Sequence, residues 1–578
     1  MKILLAACNA KYIHSNLAVY SLRAYTGEYA RNIVLKEYTI NQQKDDIMKD
    51  MYLEKPDVIC VSCYIWNITF VKALMQDLRK ILPDVPFWAG GPEVSFDAVE
   101  FLQENPAFTG VIVGEGEKTF LEFVKYYADN EQVVRDVKSL CHGGDGIENI
   151  PGLVWRDRDG IRHNGWREVL DLCSVPFVYQ DLQEFKNRII YYESSRGCPF
   201  SCSYCLSSVD KKLRFRDLEL VKKELQFFLD NRVPQVKFVD RTFNCKHDHA
   251  MEIWKYIAEH DNGVTNFHFE ISADLLREEE LALMQTMRPG LIQLEIGVQS
   301  TNPDTIREIR RTMNFERLKE TVNRIHSFGN IHQHLDLIAG LPYEDYGSFR
   351  KSFDDVYALR PQQLQLGFLK VLKGSYMKEM APEYGIVHKE QEPYEVLRTR
   401  WLSYEDVLKL KMVEDMVEVY YNSGQFENTM KLLEPLFEDA FGMYEALGQF
   451  YGKKGYDLIS HSRMRRYEIL LEFVKEEKMC SDEGTRAAGA GSGEFWEKAA
   501  DCMVYDLYLR ENLKSRPAFE SDQRPWEKAV WEYRRREGVP KNAHIEVFRD
   551  GRVLLFNYEN RDPLTNNAEV KEILLKLL

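Results

Sequence analysis

"RGCPFSCSYCLSS", residues 196–208, places cysteines at 198, 202 and 205. Tetrahedral metal centres usually take four ligands, so three thiols in so short a run leave a coordination site to account for. Gly197 and Pro199 mark the stretch as a loop, and "IIYYESS" before it reads as a strand, which argues against three unrelated core thiols. A structural zinc centre would draw on a second short spacing, and Cys245, His247 and His249 in "NCKHDHA" offer one on paper. The other reading is a [4Fe–4S] cluster held by Cys198, Cys202 and Cys205, with one iron open to substrate or cofactor.

Downstream of the cysteines, further strands are predicted at "VKFVDRTF" (236–243), "NFHFEIS" (266–272), "LIQLEIGVQS" (291–300), "QHLDLIAGLP" (333–342) and "QLQLGFLKVL" (363–372). Helical patterns such as "LELVKKELQFFLDN" (218–231) separate them. Six βα units predict a (β/α)6 partial barrel over residues 188–384, with its site at the carboxyl ends of the strands. Upstream, "KILLAAC", "VICVSCY", "PFWAGG" and "GVIVGEG" alternate with amphipathic stretches. That alternation predicts an α/β, doubly wound domain over residues 1–135. Residues 136–187 read as a connector with a small hairpin, and 385–578 as mostly helical, with "RAAGAGSGEF" (486–495) a loop. The tail "HIEVFRDGRVLLFNY" (544–558) predicts a hairpin turning at Asp550-Gly551. "RPWEKAVWEYRRRE" (524–537) is read as a solvated helix with its aromatics turned inward, rather than a nucleic-acid face.

The chain has 578 residues, which implies two to four domains. A net charge of -15 argues against a general polyanion binder, although a local basic groove for nucleic acid is compatible with it. No signal peptide and no membrane span are predicted, and the eleven cysteines are otherwise dispersed, so a cytoplasmic enzyme with reduced thiols is expected.

C-x3-C-x2-C directly after the first strand of a βα series resembles the signature of the radical S-adenosylmethionine (SAM) superfamily. The resemblance implies that the open iron chelates SAM, and that reducing the cluster cleaves the S–C5′ bond to give a 5′-deoxyadenosyl radical. It also implies an electron donor such as flavodoxin or ferredoxin. Tyr204, just before the third cysteine, fits the pattern. Likeness to the branch that includes the anaerobic coproporphyrinogen enzymes implies SAM contacts at Tyr192, Glu270, Gln299, Arg311 and Asp336. Where that branch carries a "GGE"-like segment, this chain has "FVDRTFN", so Asp240 and Thr242 take the corresponding place.

A doubly wound domain ahead of such a barrel resembles the cobalamin-binding branch. Ser62, Tyr64 and Trp66 in "VSCYIWN", Gly90, Gly91 and Pro92 in "AGGPEVSF", and Gly114 and Glu115 in "GEGE" are the implied cobalamin contacts. Ordinary core packing is the alternative for Tyr64 and Trp66, a bare tight turn the alternative for the glycines, and lost corrinoid binding the alternative for the whole domain. No D-x-H-x-x-G follows the first strand: His14 lies in that loop with Lys11 where the aspartate would stand. The resemblance implies cobalamin bound without a histidine ligand; His14 as an axial ligand is the alternative. The whole pattern, including "KYIHSNLA" and "FLKVLKG", is similar to cobalamin-binding radical SAM proteins with a C-terminal domain of unknown function. It implies methylation of an unactivated carbon on an unknown substrate. The alternatives are a radical rearrangement, oxidation or cyclisation without methyl transfer, and a non-catalytic zinc or Fe–S scaffold.

Overall fold

The structure, a computed structural model, describes residues 1–129, 146–209, 211–476 and 492–575. By its contacts the chain divides into two units. The first comprises Met1–Thr286, Ile306–Met313 and Phe368–Arg400, the second Met287–Thr305, Asn314–Gly367 and Trp401–Leu578.

In the first unit the apolar runs become strands β1 (Ile3–Asn9), β3 (Val58–Ser62), β4 (Phe87–Gly90) and β5 (Gly110–Ile112). β1 and β3 are buried along their whole length, as expected of strands covered on both faces. The helices are α1 (Leu17–Tyr25), α2 (Lys44–Leu53), α3 (Ile68–Ile81), α4 (Pro92–Ser95), α5 (Ala98–Glu104) and α6 (Gly116–Asp129). α3 shows why they form: Ile68, Val71, Leu74, Met75 and Leu78 recur at helical spacing and bury one face. The sheet order is β2-β1-β3-β4-β5-β6-β7.

Two features of this sheet escape the sequence reading. β2 (Ile33–Thr39) is an edge strand with only Ile33 and Tyr38 buried, so Lys36 and Glu37 dilute its apolar signal. The hairpin expected in a connector does form, as β6 (Leu153–Asp157) and β7 (Gly160–His163), but it extends the sheet by antiparallel pairing with β5. Residues 136–145 of that connector lie outside the described residues. With β2 on one side of β1 and β3 on the other, the strand order reverses beside β1. A doubly wound sheet opens a ligand crevice at the carboxyl ends there.

The second series begins in the same unit. β8 (Ile190–Tyr192), β11 (Gln235–Phe238) and β12 (Asn266–Ile271) are parallel, with Val236 paired to Ile190 and to Phe267. β9 (Ser195–Arg196) and β10 (Arg214–Phe215) form an antiparallel clip around the cysteine loop. α7 (Leu218–Asp230), α8 (His247–Glu259) and α9 (Glu278–Thr286) complete the βα units. The Asp217 carboxylate caps α7 by accepting from Glu219 and Leu220 N–H.

In the second unit β13 (Ile292–Gln299) and β14 (His332–Ala339) pair in parallel, with Glu295 opposite His334, and β15 (Gln363–Phe368) lies beside β14. α10 (Pro303–Glu308), α11 (Phe315–Phe328) and α12 (Tyr346–Tyr357) follow in sequence between them. All six predicted barrel strands therefore form. The 368–400 segment returns to the first unit with α13 (Tyr376–Met380), β16 (Val387–His388) and β17 (Val396–Arg398).

The carboxyl-terminal third packs α14 (Tyr404–Val417), α15 (Glu427–Leu433), α16 (Ala440–Lys454), α17 (Arg463–Glu476), α18 (Ser492–Arg510) and α19 (Glu527–Glu537). Residues 486–491 of the expected loop lie outside the described residues, and 492–495 begin α18 instead. The tail hairpin is β18 (Ala543–Val547) and β19 (Val553–Arg561), turning at Gly551 with φ +87°. A third strand, β20 (Ala568–Glu572), joins it, so the helical region ends in an antiparallel sheet. Trp526, Val530 and Tyr533 pack on that sheet's buried residues, while Trp531 stays 59% exposed, so the inward reading holds for only part of the helix.

Candidate functional site

The cysteine loop is held from four sides within the first unit. Gly197 adopts φ +94°, where a side chain would meet the Lys212 carbonyl at 2.8 Å. Asp240 accepts from Ser194 N–H at 3.0 Å, Ser194 Oγ at 2.7 Å and Ser195 Oγ at 2.6 Å. Burial pushes the Asp240 carboxyl up to about 6, against the hydrogen bonds that favour its charge. Ser203 N–H donates to the Ile309 carbonyl, and Met377 N–H donates to that of Ser203. Cys198 and Cys202 are buried and Cys205 half-buried.

Among the described residues, the one group of three or more ligand atoms within 4.8 Å of one another is Glu295, His334 and Asp336. The three thiols therefore do not all lie within 4.8 Å of one another, whereas zinc's tetrahedral geometry sets every pair of thiolates ~3.8 Å apart. The residues that would complete a zinc centre are also engaged elsewhere. His247 bonds Glu280 at 2.9 Å and His249 meets Ser194 Oγ at 3.1 Å.

Several expected SAM contacts have other partners. Tyr192 faces the helix layer: its hydroxyl donates to Glu224 at 2.6 Å and its ring packs edge-on against Phe228 and Phe238. Strand alternation puts Tyr191, not Tyr192, on the cavity side. Asp240 accepts at both oxygens from Ser194 and Ser195 and so anchors the start of the cysteine loop. Thr242 Oγ1 donates to the Arg241 carbonyl and lies 3.8 Å from Cys198 Sγ. Arg311 Nη1 sits 3.9 Å from Cys202 Sγ and 3.4 Å from the Tyr204 hydroxyl, a fixed positive charge beside the thiols. Glu270 is half-buried on β12. In the second unit Gln299 ends β13 at φ +73°, and its buried Oε1 has no hydrogen-bond partner among the described residues. Asp336 on β14 pairs with His334 Nε2 at 3.0 Å.

The crevice predicted by the sheet order is present as a cavity of about 800 Å³ in the first unit, ample for a large cofactor. Ser62, Tyr64, Trp66, Gly90, Gly91 and Pro92 line it, as do Gly114 and Glu115. Tyr64 and Trp66 stack at 4.4 Å and 9°, with Trp66 45% exposed, so this pair is not core packing. Gly91 holds φ +114°, and a Cβ there would lie 2.5 Å from the Cys63 carbonyl oxygen. Its bare backbone is thus a requirement of the wall. Ser62 Oγ accepts from Asn16 at 3.3 Å.

Sequence reasoning missed Asn16, Trp166, Tyr191, Arg196 and Arg241, which also line the cavity. Arg196 was legible only as the residue before Gly197. Its guanidinium reaches Glu117 and Glu193 at 2.8 Å and Glu115 at 3.6 Å. Burial works against its charge, but Glu193 and Glu117 outweigh it and hold the group well above its ordinary range. Arg214 joins Glu115 at 2.6 Å. His14 also lines the cavity; burial, Lys11 and Lys237 all lower its pKa.

The donor set fits the implied groups: three free thiols for an open cluster, an unpartnered Gln299 amide oxygen for a polar ligand, and a glycine-walled cavity for a corrin.

Comparison with known proteins agrees with this division. The B12 binding domain family matches residues 3–124, the radical SAM superfamily residues 192–356, and a protein family of unknown function, DUF4080, residues 382–549. The 2-(S-pantetheinyl)-carbapenam-3-carboxylate methyltransferase of Streptantibioticus cattleyicolor is 26% identical over 305 residues, covering 51% of this chain and 44% of its own. The cobalamin-dependent radical SAM methyltransferase TokK of Streptomyces tokunonensis is 24% identical over 311 residues, with the same coverage of 51% and 44%. The chain thus spans less than half the length of these relatives. The cobalamin-dependent S-adenosylmethionine radical enzyme OxsB, solved with aqua-cobalamin bound, shares the fold: TM-score 0.59 at 14% identity, over 87% of this chain and 80% of that one. The chain thus carries a radical SAM superfamily match in its middle, with a B12-binding match ahead of it and a DUF4080 match behind it.

Proposed function

We propose that this chain is a cobalamin-dependent radical SAM methyltransferase acting on an unactivated carbon. One observation carries the proposal: a unit with a glycine-walled cavity at its sheet's switch point also holds a clamped three-thiol loop with Arg311 against it. Bound there, the cluster with SAM supplies a 5′-deoxyadenosyl radical on one-electron reduction, and cobalamin supplies the methyl group.

The chain's own residues bind and orient. Cys198, Cys202 and Cys205 hold the cluster. Arg311 neutralises thiolate charge, and Asp240, through Ser194 and Ser195, fixes where the loop starts. Gln299 offers its amide oxygen, with Glu270 and Asp336 as further polar contacts for SAM. Ser62, Gly90, Gly91, Pro92, Gly114 and Glu115 line the corrinoid site, with Tyr64 and Trp66 as its aromatic wall. The nine described cysteines are all free, which supports a reducing, cytoplasmic setting. No helix among the described residues is long and apolar enough to cross a membrane. A flavodoxin or ferredoxin is the proposed electron donor, and the domain limits proposed with this reading are 1–135, 136–187, 188–384 and 385–578.

The test is anaerobic reconstitution with iron, sulfide and hydroxocobalamin, followed by reductant and SAM labelled in its methyl group. Formation of 5′-deoxyadenosine with corrinoid retained on the protein, and label passing to an added extract fraction, is the expected result. Nucleoside without label transfer would favour rearrangement or cyclisation. A colourless zinc protein without SAM cleavage would overturn the proposal.

A further inference from the structure

In the second unit, β13 buries Ile292, Leu294, Ile296 and Val298 on one face and half-buries Gln293, Glu295, Gly297 and Gln299 on the other. The parallel ladder with β14 sets Glu295 beside His334 and Gly297 beside Asp336. Side-chain alternation therefore brings Glu295, His334 and Asp336 to the same face. Gly297, having no side chain, leaves the fourth corner of that square open. A Glu295 carboxylate oxygen, a His334 ring nitrogen and an Asp336 carboxylate oxygen lie within 4.8 Å of one another. His334 is buried, and its Nε2 comes to 3.0 Å from Asp336 Oδ1 without the alignment of a hydrogen bond between them. That separation is the one neighbouring ligands of a single ion take. With metal–ligand bonds of about 2.1 Å, two ligands at right angles stand ~3.0 Å apart.

We propose that Glu295, His334 and Asp336 bind a divalent first-row transition ion, manganese(II) or iron(II). The neutral imidazole offers a lone pair, and the two carboxylates supply the two negative charges that balance the ion. Oxygen-only sets suit magnesium and calcium, and thiolates suit zinc and iron–sulfur clusters, whereas one imidazole with two carboxylates falls between them. Both strands are pinned by their ladder, so the three ligands are placed before the ion arrives. The positions beside Gly297 stay open to water or to an oxygen of a bound ligand. The Asp336 side chain is 19% exposed, which gives the ion a way in. The site shares no residue with the three thiols or with the corrinoid cavity. It goes beyond the function proposed above, which requires no such ion, and Asp336 Oδ2 remains for the SAM contact.

The experiment titrates manganese(II) into the full-length protein, reconstituted with its cluster so that the thiols are occupied and then stripped of loose metal. Electron paramagnetic resonance of the free ion should show one strong site per chain. Pulsed measurements on the bound ion should show coupling to a single histidine nitrogen, shifted in protein grown with nitrogen-15 histidine. Glu295→Gln and His334→Ala should each weaken binding at least about tenfold, since even the outer partners of a metal ligand are worth that much, and His334→Ala should abolish the nitrogen coupling. Cluster iron retained in both variants checks that they fold. No stoichiometric manganese on the parent, manganese without nitrogen coupling, or equal binding by both variants overturns the proposal. SAM cleavage by the manganese-free parent is measured alongside, so loss of the metal site and loss of the radical SAM reading are separate results.

Discussion

Replacing Gly91 with alanine tests whether the cavity wall works as described. The residue holds φ +114° and ψ 173°, a region open essentially to glycine. The new Cβ would meet Cys63 at three backbone atoms: O at 2.5 Å, N at 3.2 Å and C at 3.3 Å. These are main-chain atoms of a buried residue, and Cys63 N–H already donates to the Gly90 carbonyl at 2.7 Å, so no flexible side chain can yield. Backbone strain of this kind costs about 1–3 kcal/mol, and overpacking a fitted wall about another 1–3 kcal/mol. The loop escapes both by moving, and a ligand that needs the native wall must restore them on binding. Affinity should fall by about 2–6 kcal/mol, at least about thirtyfold. The assay is titration with hydroxocobalamin followed by absorbance, with iron content measured in parallel to show that the cysteine loop is intact. Gly263→Ala is the control: φ +73° with nothing within 4 Å, a strain without a clash and outside the cavity. A Gly91→Ala protein that binds corrinoid within about threefold of the parent would refute the reasoning.

Cys202→Ala should abolish cluster assembly and SAM cleavage, whereas Cys245→Ala should leave both nearly intact; iron and sulfide analysis with a 5′-deoxyadenosine assay separates the two. Asp240→Ala leaves the buried Ser194 and Ser195 donors without an acceptor, at about 1–3 kcal/mol for each orphaned group. Iron per chain after reconstitution should drop and amide exchange across 194–205 should quicken, with Asp240→Asn intermediate. Burial pushes the Glu344 carboxyl up to about 7, while Ser300 and Ser352 donate to it at 2.6 and 2.9 Å. A carboxyl raised above its unfolded value gives stability that is complete below about pH 4.5 and lost as pH rises through about 7. Between about pH 6 and about pH 8.5 the loss is about 1 kcal/mol. Amide exchange in the segments around Ser300 and Ser352 should rise over that span, and Glu344→Gln should flatten the dependence.

The fully buried strands and the six barrel strands were legible because a short, bounded apolar run suits little besides a strand covered on both faces. β2 was not, since an edge strand with Lys36 and Glu37 in its middle satisfies no buried pattern. The hairpin of β6 and β7 was visible locally, but nothing in its own residues says that it pairs with β5. Among site residues the cysteines announced themselves by spacing, and the glycines by their company. Tyr192 bonds Glu224 while Tyr191 lines the cavity: strand alternation sends adjacent residues to opposite faces, and two consecutive tyrosines hide which face is which. Asp240 had the right chemistry for a ligand contact, yet the serines that occupy it lie 45 and 46 residues away in sequence. Arg196 shows the same limit, because its partners Glu115 and Glu117 lie in another stretch of chain.

That last arrangement bears on recombination between relatives. Arg196 ends β9 at the start of the cysteine loop, while Glu115 and Glu117 stand where the chain passes from β5 into α6, on the wall of the cavity. A chimera that grafted a foreign amino-terminal sheet onto this barrel would bury a guanidinium stripped of two counter-charges, at several kcal/mol. The reverse graft would strand the glutamates. Residues 114–117 and 193–197 therefore form one electrostatic unit, and an exchange of either half keeps its stability only when both stretches travel together.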